Sequence, residues 1–154
     1  MERIARECPV QVIKYYKGIE AYIRLTRPIP ERDFKTEVRF YYGRPGSGKS
    51  RRALAEAKAT GGRIYYKPRG DWWDGYKQHE CVIIDDFYGW IKYDDLLKIC
   101  DRYPYQVPVK GSFEQFTSKY IWITSNVGLE NIYRFIGYDC TAIKRRCEII
   151  EEIN

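Results

Sequence analysis

Gly43-Arg44-Pro45-Gly46-Ser47-Gly48-Lys49-Ser50 is the stretch on which the reading of this chain turns. It matches the pattern G-x-x-x-x-G-K-[ST] in full. Each residue type has a task in that pattern. Glycines open backbone conformations closed to other residues and bring N–H groups close to phosphate oxygens. The amino end of a following helix adds the positive end of its dipole. Lys49 is placed to reach the β- and γ-phosphates of a nucleoside triphosphate, and the Ser50 hydroxyl to bind Mg²⁺. The other reading of these eight residues is a glycine-rich turn with a chance Lys-Ser, and the flanking sequence argues against it.

Working outward, Val38-Arg39-Phe40-Tyr41-Tyr42 is β-rich and runs straight into the first glycine. Residues 51–59 are good helix formers, and Gly61-Gly62 stops them. Arg63-Ile64-Tyr65-Tyr66 predicts a strand. Cys81-Val82-Ile83-Ile84 predicts a buried parallel strand, because the run is apolar throughout. Residues 93–100 predict a helix, residues 105–117 a hairpin with Lys110-Gly111 at its turn, and Tyr120-Ile121-Trp122-Ile123-Thr124 another buried strand. Alternating strands and helices predict an α/β domain around a mostly parallel sheet over residues 37–154. Residues 1–36 read as a small helical segment and linker. Pro9 suits a first helical position. Val12, Tyr16, Ile19 and Ile23 share one face, Gly18 weakens the helix, and Arg27-Pro28-Ile29-Pro30 ends it. Such a segment cannot bury its own apolar face and is expected to pack on the main domain or on another copy of the chain.

Asp85 and Asp86 follow the Cys81-Val82-Ile83-Ile84 run directly. In a doubly wound sheet the carboxyl ends of the strands face the ligand crevice, which puts both carboxylates opposite the phosphates. Asp85 is expected to hold Mg²⁺ through water and Asp86 to orient or activate the attacking water. Thr124-Ser125-Asn126 closes the next buried strand, and Asn126 is the choice for a γ-phosphate sensor over a plain turn asparagine.

Composition narrows the class. In 154 residues, 44% apolar and 31% charged side chains argue for a folded domain rather than disorder. No stretch approaches the roughly 18 apolar residues of a membrane span. The first seven residues lack the apolar run of a secretory leader. Five scattered cysteines without a C-x-x-C pair support neither a zinc site nor a disulfide framework, so reduced, mostly buried thiols and an intracellular location are expected. His79, the sole histidine, reads as a surface or loop residue. The net charge of +6 permits a polyanionic partner. The 15 tyrosines, many beside Lys or Arg, suit either base stacking or core and rim packing. The same choice applies to Trp72-Trp73-Asp74-Gly75-Tyr76, where packing against the sheet is favoured.

Taken in order, the phosphate loop, Trp72-Trp73-Asp74-Gly75-Tyr76, Val82-Ile83-Ile84-Asp85-Asp86-Phe87-Tyr88-Gly89-Trp90, Asp101-Arg102-Tyr103-Pro104, Lys110-Gly111 and Ile123-Thr124-Ser125-Asn126 resemble one known pattern. It is the superfamily 3 helicase domain of the replication-associated proteins of circoviruses and related small circular single-stranded DNA viruses. The resemblance covers about residues 37–126, and the N-terminal segment resembles the family's helical oligomerisation region. It implies an AAA+-like P-loop ATPase with ATP and Mg²⁺ as cofactors. It implies a ring of copies, a hexamer, moving 3′ to 5′ on single-stranded DNA during rolling-circle replication in the host nucleus. The phosphate-loop role falls on Gly43, Arg44, Pro45, Gly46, Ser47, Gly48, Lys49 and Ser50, the acidic pair on Asp85 and Asp86, and the sensor on Asn126. The hairpin lysine that contacts DNA maps onto Lys110, with Gly111 beside it. The arginine finger falls on Arg145 or Arg146.

The sequence departs from that pattern in three places. One histidine and no Tyr-x-x-Lys leave no means for the family's nicking reaction, so an excised helicase part or a nuclease-less relative is expected. Arg44 stands where the family often has proline and adds charge beside the nucleotide. Residues 127–140 have no counterpart in the pattern. Two other functions compete with a DNA-stimulated motor: a small P-loop kinase, which would need an acceptor pocket and an Arg-rich lid, and an oligomeric single-strand-binding module with ATP as an assembly switch.

Overall fold

The computed structural model describes residues 6, 9–26 and 28–154 of the chain. It divides into two compact units, Met1–Pro30 and Glu31–Asn154. In the first, helix α1 spans Pro9–Thr26 and is kinked at Tyr15, whose φ of −121° and ψ of 26° are not helical. The helix expected from the apolar spacing is therefore present, although the side chain of Val12 and all of Arg27 lie outside the described residues.

The second unit is a three-layer α/β domain. Its strands are β1 (Glu37–Tyr42), β2 (Ile64–Tyr66), β3 (Cys81–Ile84), β6 (Tyr120–Ser125) and β7 (Ile149–Glu152), all parallel, in the order β2-β3-β6-β1-β7. Helices α2 (Lys49–Ala59), α3 (Tyr93–Ile99) and α4 (Thr141–Arg146) connect them, and β4 (Gln106–Val109) and β5 (Ser112–Gln115) form a separate antiparallel hairpin. The α/β class with a mostly parallel sheet is what the sequence predicts. It does not predict β7, the edge strand beside β1.

Strand side chains alternate between the two faces, and the core divides accordingly. Val38 and Phe40, Val82 and Ile84, and Ile121 and Ile123 join Leu96, Ile99, Val107, Phe116 and Ile143 in one cluster. Tyr41, Cys81, Ile83 and Trp122 meet Ala53 and Ala57 of α2 in the other. Trp73 and Tyr76 are buried in the first cluster against Tyr65 and Phe116, so this aromatic run packs as expected, while Trp72 is exposed. Among the described cysteines, Cys81 and Cys100 are buried and Cys140 and Cys147 partly so. No helix among the described residues is long and apolar enough to cross a membrane.

The compact unit that carries the sheet begins at Glu31, ahead of β1. The reason is Arg32, a buried guanidinium that the linker reading passed over. It donates to the carbonyls of Lys98 (2.7 Å), Ile99 (2.8 Å) and Tyr103 (2.7 and 3.0 Å) and to Thr36 Oγ1 (3.0 Å). Carbonyls at a helix C-terminus lack partners within the helix, and a cation there also meets the negative end of the dipole. Arg32 supplies both at the end of α3. Thr36 Oγ1 in turn donates to the Ser118 carbonyl at 2.8 Å. Arg32→Ala should therefore lower the unfolding free energy by about 3 kcal/mol, because it strands buried acceptors. Arg32→Lys should recover less than half, since an ammonium lacks the planar fork. Urea midpoints of the three proteins check both expectations.

Candidate nucleotide site

The phosphate loop links the carboxyl end of β1 to the amino end of α2, as its motif requires. Gly48 caps α2 with φ of 90°, a left-handed conformation that a side chain would strain. Gly43 is needed for a different reason: a Cβ there would lie 2.1 Å from the Ile153 carbonyl oxygen. The base of the loop is pinned by Gly43 N–H donating to Ser125 O (3.1 Å) and Ile153 N–H donating to Tyr42 O (2.7 Å). So β6 and β7 grip the loop from either side of β1. Lys49 is buried and its amine donates to the Arg44 carbonyl at 3.2 Å. Ser47 Oγ is buried with no hydrogen-bond partner among the described residues.

Asp85 and Asp86 stand at the carboxyl end of β3. Asp85 Oδ1 accepts from Ser50 Oγ at 2.7 Å and from Thr124 Oγ1 at 2.7 Å. The same Thr124 oxygen accepts from Asp86 N–H at 2.9 Å. One hydroxyl at the end of β6 therefore ties the acidic pair to the strand next door, and the serine of the phosphate loop reaches the same carboxylate. Asp86 adopts φ of 53°, unusual for a residue with a side chain, and its Oδ2 lies 2.8 Å from Arg69 Nη2. The two carboxylates thus point to different partners. Thr124 is a site residue that the sequence reading missed in favour of Asn126. Its signal was a hydroxyl residue at the carboxyl end of a buried apolar strand. Asn126 is exposed just beyond β6, level with Gly43, since Ser125 pairs with Tyr42.

The donors present fit a nucleotide with its metal. An orphaned buried hydroxyl, a buried ammonium and the loop N–H groups suit phosphate oxygens. Among the described residues no group of three or more His, Cys, Asp or Glu could hold a metal ion by itself. One hydroxyl and one carboxylate suit Mg²⁺, which takes few protein ligands and completes its shell with phosphate and water.

The other candidates lie elsewhere. Lys110 and Gly111 form the turn between β4 and β5, as predicted, and the Lys110 side chain is 75% exposed. Arg145 and Arg146 close α4, immediately before β7 begins. Because β7 runs parallel to β1, they stand at the amino edge of the sheet, the end opposite the phosphate loop. The six residues of β1 separate the two edges by roughly 20 Å. Arg145 is exposed. Arg146 is half-buried, donating from Nε to Asp101 Oδ2 (3.1 Å) and from Nη1 to the Ala142 carbonyl (2.8 Å). His79 lies in a loop against the rings of Tyr65 and Tyr76, and burial, then Arg63, lowers its basicity.

Thr124→Val should cost about 2 kcal/mol of stability, since it removes a buried hydroxyl that donates and accepts at once. Thr124→Ser should retain most of it, and denaturant melts of the two variants check the difference.

The family model described as RNA helicase matches residues 40–127. The replication-associated protein of Human associated cyclovirus 1 is 64% identical over 97% of this chain and 54% of its own length. That of Beak and feather disease virus is 49% identical over 87% of this chain and 45% of its own length. That of Porcine circovirus 2 is 43% identical over 80% and 39%. The chain thus spans about half the length of the curated relatives it matches. With a phosphate loop, an acidic pair and a parallel sheet arranged around them, the chain belongs to the RNA helicase family and is similar over most of its length to circovirus and cyclovirus replication-associated proteins.

Proposed function

We propose that this domain hydrolyses Mg²⁺-ATP to drive movement, 3′ to 5′, along single-stranded DNA as part of a viral replication initiator acting in the host nucleus. The observation that carries the reading is the 2.7 Å contact between Ser50 Oγ and Asp85 Oδ1 beside the phosphate loop. It brings the hydroxyl and the carboxylate that a nucleotide-bound metal needs to one point at the carboxyl edge of the sheet. When bound, Mg²⁺ neutralises charge on the β- and γ-phosphates. Lys49 contributes a second cation, and the loop N–H groups cradle the phosphates. Asp86, free of the Ser50–Asp85 contact, orients the attacking water, and Asn126 reads the γ-phosphate. Lys110, projecting from the hairpin tip, contacts the strand's backbone.

Lys49→Ala should abolish hydrolysis and weaken ATP binding. Asp86→Asn should bind Mg²⁺-ATP normally and turn it over at least about 100-fold more slowly, the range for a lost proton acceptor. Both are measured by phosphate release and by binding of a fluorescent ATP analogue, without any acceptor substrate. Near-normal activity of Lys49→Ala would sink the phosphate-site assignment. Dependence of turnover on an acceptor would point to a kinase, and tight binding without turnover to an assembly switch.

Hydrolysis further requires a second copy of the chain, in a ring that we propose is hexameric. Arg145 is exposed but at the far edge of the sheet from its own phosphate loop, so it serves only a neighbour's nucleotide. Arg146 is already occupied by Asp101, which makes Arg145 the preferred finger. Such arginines are worth roughly 10³–10⁵ in rate. Arg145→Ala and Lys49→Ala chains should each be inactive alone and regain part of the activity when mixed. Mixed rings that stay inactive would exclude Arg145.

A further inference from the structure

One segment touches two features that the sequence holds far apart. Between β2 and β3, Arg69 pairs with Asp86 at 2.8 Å. A few residues on, Asp74 Oδ1 accepts from the Lys110 N–H at 2.8 Å, and its Oδ2 lies 3.9 Å from Lys110 Nζ. Trp73 N–H adds a bond to the Pro108 carbonyl of the hairpin at 2.8 Å. The stretch between these contacts is held as one body by Lys67. Its buried ammonium donates to the carbonyls of Pro68 (2.6 Å), Gly70 (2.8 Å) and Trp72 (3.0 Å). It also lies over the rings of Trp73 and Trp90, at 5.3 and 5.4 Å from their centroids. Trp90 Nε1 in turn donates to the Asp86 carbonyl at 3.3 Å. Burial pushes the Lys67 amine down to about 8, against the pull of Asp71 and Asp74, so the clamp is cationic at neutral pH.

We propose that residues 67–74 form a strap coupling the hairpin tip to the acid, with Arg69 as a positioning residue that restrains Asp86 until DNA engages Lys110. The proposal rests on the ATPase reading above. A backbone phosphate at Lys110 competes with the Asp74 carboxylate for the same ammonium, and like charges then repel Asp74. Because Lys67 makes the strap rigid, displacement at Asp74 is transmitted to Arg69 rather than absorbed between them. Withdrawal of Arg69 frees the Asp86 carboxylate to orient water. The Arg69–Asp86 pair is solvent-exposed, with side chains 57% and 53% accessible. An exposed pair contributes at most about 1 kcal/mol, so the restraint is limited to about fivefold in rate.

Steady-state ATP hydrolysis by the wild type, Arg69→Ala, Arg69→Lys and Asp74→Ala, with and without an oligothymidine strand, tests the strap. Strand affinity by fluorescence anisotropy accompanies it. Arg69→Ala should raise strand-free kcat about two- to fivefold at constant KM and leave the strand-stimulated kcat unchanged. Arg69→Lys should restore the wild-type strand-free rate. Asp74→Ala should bind the strand within about twofold of wild type yet lose stimulation. A damaged fold slows both rates and does not raise the strand-free one. A slower or unaltered Arg69→Ala enzyme, or normal stimulation of Asp74→Ala, overturns the coupling while leaving the ATPase reading in place. A wild type that hydrolyses no ATP overturns that reading first and the coupling with it.

Discussion

Parallel pairing of three central strands is the constraint on which the rest of the site depends. Phe40 stands level with Ile123 and Ile123 with Ile84, so β1, β6 and β3 end on nearly one line. Whatever follows each strand is then delivered to the same edge: the phosphate loop after β1, the acidic pair after β3, and Thr124 and Asn126 at the end of β6. A one-residue slip of any strand would exchange its two faces and displace its contribution by about 3.3 Å. Burial on both faces forbids that slip, because each face has its own apolar cluster to fill.

The site is consequently assembled by strand ends and tuned by short polar links between them. Thr124 is the clearest link, donating to Asp85 while accepting from the Asp86 N–H. It lets the two adjacent carboxylates diverge, one toward Ser50 and one toward Arg69. On the other side of β1, β7 completes the base of the loop, and the close approach of Ile153 to Gly43 leaves no room for a side chain there. The opposite edge of the sheet carries a different load. Arg32 collects the end of α3, and Arg146 joins α4 to Asp101, so the two short helices are tied at the amino edge. Arg145 is left exposed beside that knot.

Tyrosine abundance has a structural meaning in much of this fold. Tyr65 and Tyr76 form an aromatic cluster with Trp73 and Phe116, and Tyr93, Tyr133 and Tyr138 pack with Phe135. Several spend their hydroxyls on backbone carbonyls, Tyr65 on Asp74 and Tyr133 on Ile91. An aromatic ring with one polar tip fills a core and anchors a loop at once, which a phenylalanine cannot do.

From sequence alone came the phosphate loop with its strand and helix, the buried β3 and β6 runs, the acidic pair and the hairpin with Lys110 and Gly111 at its turn. These are local signals: glycine spacing, uninterrupted apolar runs and turn residues each report on the few residues around them. The resemblance over residues 37–126 was legible for the same reason. What the tertiary structure alone decided are partnerships across long separations. β7 was invisible because Ile149-Ile150-Glu151-Glu152 is a short edge run whose partner, β1, lies at the other end of the domain. Arg32 read as part of a linker because its partners are helix-end carbonyls that no sequence pattern names. Lys67 and Arg69 carried no motif, Thr124 stood in one whose role was assigned to Asn126, and the roles of all three come from what stands opposite them. A side chain's chemistry is written in the sequence, but the group that it faces is set by the packing of the sheet.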